Sequence, residues 1–261
     1  PITIPAGGIQ CTEDGRPDSL NCTAPPTGSG LSVVMILHGS LSINELAGQR
    51  DLDIGTMKRY ALEFIKQTDN LDRMAILQMD NDVRLRVDFR DAENREALTD
   101  QVNRLLPSLG SATALFDSVE KAIDLLQSTR SEDGRRKAVM IFTGSGNNFD
   151  KNGKRDLDAF SQFLQSSGIP IYLVAIGPAV NNPGVLAELN QIALDTSGQL
   201  FAESGDITAS MGNLAASLRN QQTVNFTTSN RDGRPHQLRV NIALPGSGEI
   251  ISALRSYSGC R

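Results

Sequence analysis

Leu31-Ser32-Val33-Val34-Met35-Ile36-Leu37-His38-Gly39-Ser40-Leu41-Ser42 is the stretch on which the fold turns. From Leu31 to Leu37 the run is almost continuously apolar and rich in β-branched residues. A strand with one wet face would alternate; an unbroken apolar run belongs to a strand buried on both faces of a parallel sheet. The run stops abruptly at a small, polar segment, the composition of a loop leaving the carboxyl end of such a strand.

Working outward, the period changes from that of a strand to that of a helix. From Asp51 onward, Ile54, Met57, Ala61, Leu62 and Ile65 fall on one helical face. Met74 to Met79 is the next buried strand. Val83, Leu85, Val87 and Phe89 then alternate with Arg84, Arg86 and Asp88, which predicts an edge strand with one solvated face, reached by a small hairpin near residues 80 to 83. Helical periods follow at Ala92 to Leu106 and Ala114 to Thr129, with Gly110-Ser111-Ala112-Thr113 between them. The alternation continues with strand Ala138 to Thr143, loop Gly144 to Gly153, helix Asp156 to Ser166, strand Ile169 to Ile176, helix Gly184 to Thr196, strand Leu200 to Ala202 and helix Ile207 to Asn220. Strands alternating with helices imply right-handed crossovers and an α/β class: a doubly wound, mostly parallel sheet with helices on both faces.

The two ends differ from this middle. Residues 1 to 30 are rich in Pro, Gly, Ser and Thr and read as an extended arm. After Gln221, short alternating runs are punctuated by Arg231-Asp232-Gly233 and Pro245-Gly246-Ser247-Gly248, the pattern of antiparallel hairpins. The expected organisation is an arm over 1–30, an α/β domain over 31–221 and a β segment over 222–261, with arm and tail forming one small antiparallel satellite. Cys11, Cys22 and Cys260 all lie in these end regions, which suggests a clamp formed in an oxidising compartment and a chain that is secreted, periplasmic or at the cell surface. Three cysteines leave three pairings open, of which a bond to Cys260 closing the satellite is the simplest arrangement.

With 261 residues the chain can bury a large core. A net charge of -5, with basic residues scattered rather than gathered on one face, speaks against nucleic-acid binding. No apolar run approaches the roughly 18 residues that cross a bilayer, so no membrane span is expected in this chain. The start at Pro1, without a basic leader, is expected to reflect processing or trimming. Asn21-Cys22-Thr23 and Asn225-Phe226-Thr227 match the N-glycosylation tripeptide, a pattern that also arises often by chance.

In an open parallel sheet, ligands bind beyond the carboxyl ends of the strands where strand order reverses. Three segments reach that place: His38-Gly39-Ser40-Leu41-Ser42, Thr113-Ala114-Leu115-Phe116-Asp117 and Thr143-Gly144-Ser145-Gly146-Asn147-Asn148. In order, spacing and context they resemble the metal-ion-dependent adhesion site of von Willebrand factor A domains. There the first strand ends in Asp-x-Ser-x-Ser, a later loop supplies a Thr before an Ala-Leu helix, and another strand ends in Thr-Asp-Gly. The resemblance covers residues 31 to about 220; the tail phrase Asp232 to Val240 is similar to tails that follow this domain in some bacterial extracellular proteins.

The resemblance implies Mg²⁺ or a similar hard cation held by two Ser, one Thr and two Asp, with a site left for a partner's carboxylate. Here Ser40, Ser42 and Thr113 remain, whereas His38 and Gly144 stand at the two Asp positions. Hydroxyls alone poorly offset the dehydration of a hard divalent ion, so no cofactor is expected unless an acid such as Asp150 or Glu45 completes the site. His38 suits Zn²⁺ or Cu²⁺ chemically but stands alone, since the other histidine, His236, is in the tail. The hydroxyls have an ordinary role as well, capping loops and helix starts.

The implied function is non-enzymatic binding of a protein or extracellular-matrix ligand, an adhesion-type role, through His38, Ser40, Ser42, Thr113, Ser145, Asn147 and Phe149. The alternative is a scaffold or self-association module of a surface or periplasmic assembly, using exposed strand edges. A serine hydrolase is a remote third reading: Ser145 follows a strand, but a Gly-x-Ser-x-Gly elbow needs glycine where Thr143 and Asn147 stand.

Overall fold

The computed structural model describes residues 8–17, 20–23, 30–39, 52–89, 95–108, 112–128, 135–147, 156–203, 205–220, 224–228, 232–244, 246 and 248–258. They form two compact units, residues 30–218 and, from the two ends together, 1–29 with 219–261.

The larger unit is built on six strands: β3 (Leu31–His38), β4 (Arg73–Met79), β5 (Val83–Val87), β6 (Arg136–Thr143), β7 (Ile171–Ala175) and β8 (Gln199–Ala202). Their order across the sheet is β5-β4-β3-β6-β7-β8, parallel except for the β4–β5 hairpin. The doubly wound architecture expected from the sequence is therefore the one observed. Between them run α1 (Leu52–Gln67), α2 (Arg95–Asn103), α3 (Leu115–Ser128), α4 (Leu157–Ser167), α5 (Pro183–Asp195) and α6 (Ile207–Asn220).

The unbroken apolar run of β3 is explained by two cores. Val33, Met35 and Leu37 pack with α1, α2 and α6 on one face of the sheet, while Val34 and Ile36 pack with α3, α4 and α5 on the other. Successive side chains of a strand point to opposite faces, so a strand covered on both sides has no position left for a polar residue in its centre. α4 begins on Asp156, whose carboxylate accepts the Ala159 N–H at 2.7 Å, and stops at Gly168 with φ 65°. That left-handed cap residue is one that glycine adopts without steric cost.

At the sheet edge the alternation of residues 83 to 89 is only partly realised. Val87 is buried, but Leu85 is 45% exposed. The ladder shifts here: Ile76 faces Val87 while Leu77 faces Leu85, leaving Arg86 as the extra residue of a bulge. A bulge bends the strand and breaks the two-residue period, which turns Leu85 outward. Helix α2 ends at Asn103, earlier than periodicity suggests, and Leu106 is 72% exposed.

The smaller unit holds β1 (Ile9–Glu13), β2 (Leu20–Thr23), β9 (Asn225–Thr228), β10 (Pro235–Ala243) and β11 (Ile250–Ser258). They form an antiparallel β1-β10-β11 sheet and a β2–β9 pair, so arm and tail do make a joint satellite. The disulfide, however, joins Cys11 to Cys22, inside the arm. It corrects the expectation of a bond to Cys260, which lies outside the described residues: β1 and β2 are adjacent and bring their own cysteines within bonding distance, at a Cα separation of 6.2 Å. His236, on β10, accommodates both ends of the chain: its Nδ1 lies 2.7 Å from Asp14 Oδ2 and its Nε2 2.9 Å from Asp232 Oδ1. The two carboxylates push the imidazole above its ordinary value.

Candidate functional site at the strand ends

Strand order reverses between β3 and β6: the chain leaves β3 to form β4 on one side and returns as β6 on the other. The crevice of a doubly wound sheet opens at such a point, beyond the carboxyl ends of these two strands. His38 is the last residue of β3 and Thr143 the last of β6, so both stand at this switch point.

His38 is fully buried. Its Nδ1 accepts the Gly144 N–H at 3.1 Å and lies 3.2 Å from Thr143 Oγ1; its Nε2 lies 3.2 Å from Thr113 Oγ1. A backbone N–H can only donate, so Nδ1 carries no proton and the neutral ring carries it on Nε2, donating to Thr113. Burial disfavours the charged ring and pushes its pKa down to about 3. Thr113 Oγ1 is in turn 2.8 Å from Ser145 Oγ, and Thr143 Oγ1 donates to the Ser145 carbonyl at 2.7 Å while accepting the Ser145 N–H at 3.2 Å. Segments distant in sequence are thus stitched together around one imidazole.

A second layer supports the loop after β6. Asn147 donates its backbone N–H to Glu188 Oε1 on α5 at 2.8 Å, and its side-chain oxygen accepts the Phe116 N–H in the first turn of α3 at 3.2 Å. Such a cap satisfies a donor that the helix itself leaves unpaired. Burial raises the Glu188 carboxyl, partly offset by the Asn147 N–H. Beside β3, Gly39 lies against the Gln78 side chain, and its carbonyl accepts the Ser108 N–H at 2.6 Å.

Of the residues proposed from sequence, the structure brings His38, Thr113, Ser145 and Asn147 together. Ser40, Ser42 and Phe149 lie outside the described residues, as do Asn148, Asp150 and Glu45. Sequence reasoning passed over Thr143, which ends β6 as a clamp on Ser145, and Glu188, which sits within a helix with no local signal of its role. Asn147 serves here as a helix cap through its side-chain oxygen.

Among the described residues, His38, Thr113, Thr143, Gly144 and Ser145 do not make a donor set that fits a hard divalent cation. Such an ion needs oxygen acceptors, some of them anionic, arranged around it. At this place the Gly144 N–H is a backbone donor aimed at the His38 ring, and the nearby carboxylate of Glu188 accepts the Asn147 N–H. Among the described residues there is no group of three or more His, Cys, Asp or Glu side chains that could hold a metal. Among the described residues, Thr113 stands between His38 and Ser145 in a chain of hydrogen bonds.

The fold has relatives of known structure. Proximal thread matrix protein 1 from the mussel byssus superposes with a TM-score of 0.59 at 17% identity, over 80% of this chain and 51% of that one. The chain thus spans about half the length of the mussel protein, which has also been solved with zinc in its metal-ion-dependent adhesion site. An aerotolerance-related membrane protein from Bacteroides fragilis gives 0.57 at 15% identity, over 74% of this chain and 100% of that one. A von Willebrand factor type A protein from Catenulispora acidiphila gives 0.55 at 11% identity but covers 97% of this chain and 74% of its own. Among curated proteins none matches. The sequence model of the von Willebrand factor type A domain matches residues 32–217, which take in the doubly wound sheet and its helices from the start of β3 to within the last turn of α6. The chain belongs to the von Willebrand factor type A domain family.

Proposed function

We propose that this chain is a non-enzymatic, adhesion-type binding module that holds a protein or extracellular-matrix ligand over the β3 and β6 strand ends without a metal ion. The observation that carries the reading is the His38–Thr113–Ser145 chain at the switch point, where a family that mediates protein interactions presents its binding loops. Ser145 and Asn147 follow the end of β6 with Phe149 just beyond them, and Ser40 and Ser42 follow His38 at the end of β3 in sequence. The donor set argues for cation independence, and the separation of His38 from Ser145 argues against hydrolysis. The Cys11–Cys22 bond suits a secreted, periplasmic or cell-surface location, because such bonds persist in oxidising compartments. Among the described residues no helix is long and apolar enough to cross a membrane.

The test is surface plasmon resonance on immobilised collagen, fibronectin and fibrinogen, run in Mg²⁺ and again in EDTA. Binding to at least one, equal in both buffers and weakened at least tenfold by alanine at Ser40, Thr113 or Phe149, is expected. Binding that survives all three substitutions puts the contact on another face, and binding abolished by EDTA overturns the metal-independent mechanism.

A second reading, scaffold or self-association, is favoured by the edge strand β11, where Ile250, Ile251 and Leu254 are more than half exposed. Unpaired strand edges with apolar side chains invite a further strand. Sedimentation velocity distinguishes the two: a concentration-dependent dimer in the absence of ligand supports the scaffold, and a monomer at all concentrations removes it.

A further inference from the structure

We infer that the His38 imidazole is a neutral cross-link that holds the switch-point loops in place by hydrogen bonds, doing structurally what an ion would do in a metal-binding site of this fold. The inference deepens the metal-independent part of the proposed function and rests on that part alone.

The geometry supports it from three sides. The backbone ladder pairs Leu37 with Phe142, so beyond β6 the Gly144 N–H has passed the end of its pairing with β3 and needs another acceptor. His38 Nδ1 supplies it at 3.1 Å. Once Nδ1 accepts, Nε2 must carry the proton, and Nε2 faces Thr113, the residue that leads into α3. One ring therefore reads out two directions, acceptor toward the loop after β6 and donor toward the loop before α3. Thr113 extends the link to Ser145, and Thr143 fixes the backbone of Ser145 from the other side. The ring is wholly buried, where an unpaired polar atom is costly, so this bonding pattern is a condition of its being there at all.

A carboxylate at position 38 would offer only acceptors and, when ionised, would have no proton to give Thr113.

The direct test is the ring itself. Long-range ¹H–¹⁵N correlation spectra of the unmodified protein should show His38 as the Nε2–H tautomer, with Nδ1 in its unprotonated, hydrogen-bonded range and no change on adding millimolar MgCl₂. A proton on Nδ1, a mixture of tautomers, or a Mg²⁺-dependent shift overturns the inference. Variants give a second readout. His38→Ala should lower the thermal midpoint by roughly 4–10 °C, as expected for unpaired buried groups in a domain of this size. His38→Asn, which keeps an acceptor close to the position of Nδ1, should recover part of that loss. Equal midpoints for His38→Ala and the unmodified protein contradict it. None of these measurements uses the partner, so failure to bind matrix proteins with the tautomer as expected would remove the partner reading and leave the cross-link standing.

Discussion

Gly146 shows at a single position how tightly the loop after β6 is built. A Cβ added there would lie 2.4 Å from Glu188 Oε2, so any side chain must displace the carboxylate that accepts the Asn147 N–H. Gly146→Ala should destabilise the domain by about 1 kcal/mol, the net worth of the hydrogen bond that a displaced Glu188 side chain gives up, and Asn147 amide exchange should speed up in step; unchanged exchange would show that Glu188 gives way freely. The two histidines titrate in opposite senses. For His38 the folded pKa is about 3 against 6.5 for the free side chain, so the unfolded chain takes up a proton that the native state refuses. Its effect is that the larger unit loses stability as pH falls from about 6.5 toward 3. For His236 the folded value is raised by Asp14 and Asp232, whose own values are lowered mainly by hydrogen bonds. This stabilisation is fully present below 6.5, is lost as pH rises through the raised value, and fails again in strong acid as the two carboxylates protonate. Residue-resolved hydrogen exchange should therefore find amides of β1 and β10 opening sooner at alkaline pH and those of β3 and β6 sooner in acid. A common pH dependence for both sets would contradict this assignment.

Among the elements, those with an undivided environment were the most legible. β3, β6 and β7 are buried on both faces, and nothing competes with their β-branched, apolar composition. β5 was legible as an edge strand but not in its facing, because the bulge at Arg86 arises from the register of the neighbouring β4 and leaves no mark in the two-residue period. The loop candidates were legible as types and positions, since hydroxyls and glycines at strand ends are visible in sequence. Their bonding was not, because Glu188 and Thr143 reach the site through tertiary packing. The disulfide pairing was beyond sequence for the same reason: three cysteines are compatible with several pairings until strand adjacency is known. Reducing Cys11–Cys22, which are 11 residues apart, should cost the satellite on the order of 2–3 kcal/mol by releasing a short closed loop. Exchange in β1, β2 and β9 should accelerate while β3 and β6 hold; equal acceleration in both would mean the bond supports the whole chain. On the opposite face of the sheet from α1, Phe116 of α3 stacks on Phe160 of α4 with ring centroids 3.9 Å apart. Phe160→Ala should cost about 3–5 kcal/mol, read by chemical denaturation, since the buried ring leaves a cavity between two helices.

At the scale of the molecule, the chain has the sheet and switch point of the von Willebrand factor type A fold, and the buried imidazole of His38 links Thr113, Thr143 and Gly144 there. The adhesion geometry and the metal are separable in physical terms: loops can be held by hydrogen bonds to a neutral ring as well as by coordination, provided every buried donor and acceptor is met. On the metal-independent reading we propose, a partner would meet no open coordination position for a carboxylate and would be recognised through hydrogen bonds and surface contact. The measurement that bears most directly on this account is calorimetric titration of chelator-stripped protein with Mg²⁺ and Mn²⁺, with thermal melts at saturating ion. The account predicts no saturable heat and no change in midpoint. A saturable isotherm with a midpoint that rises with either ion would contradict it and return cation-dependent adhesion as the mechanism.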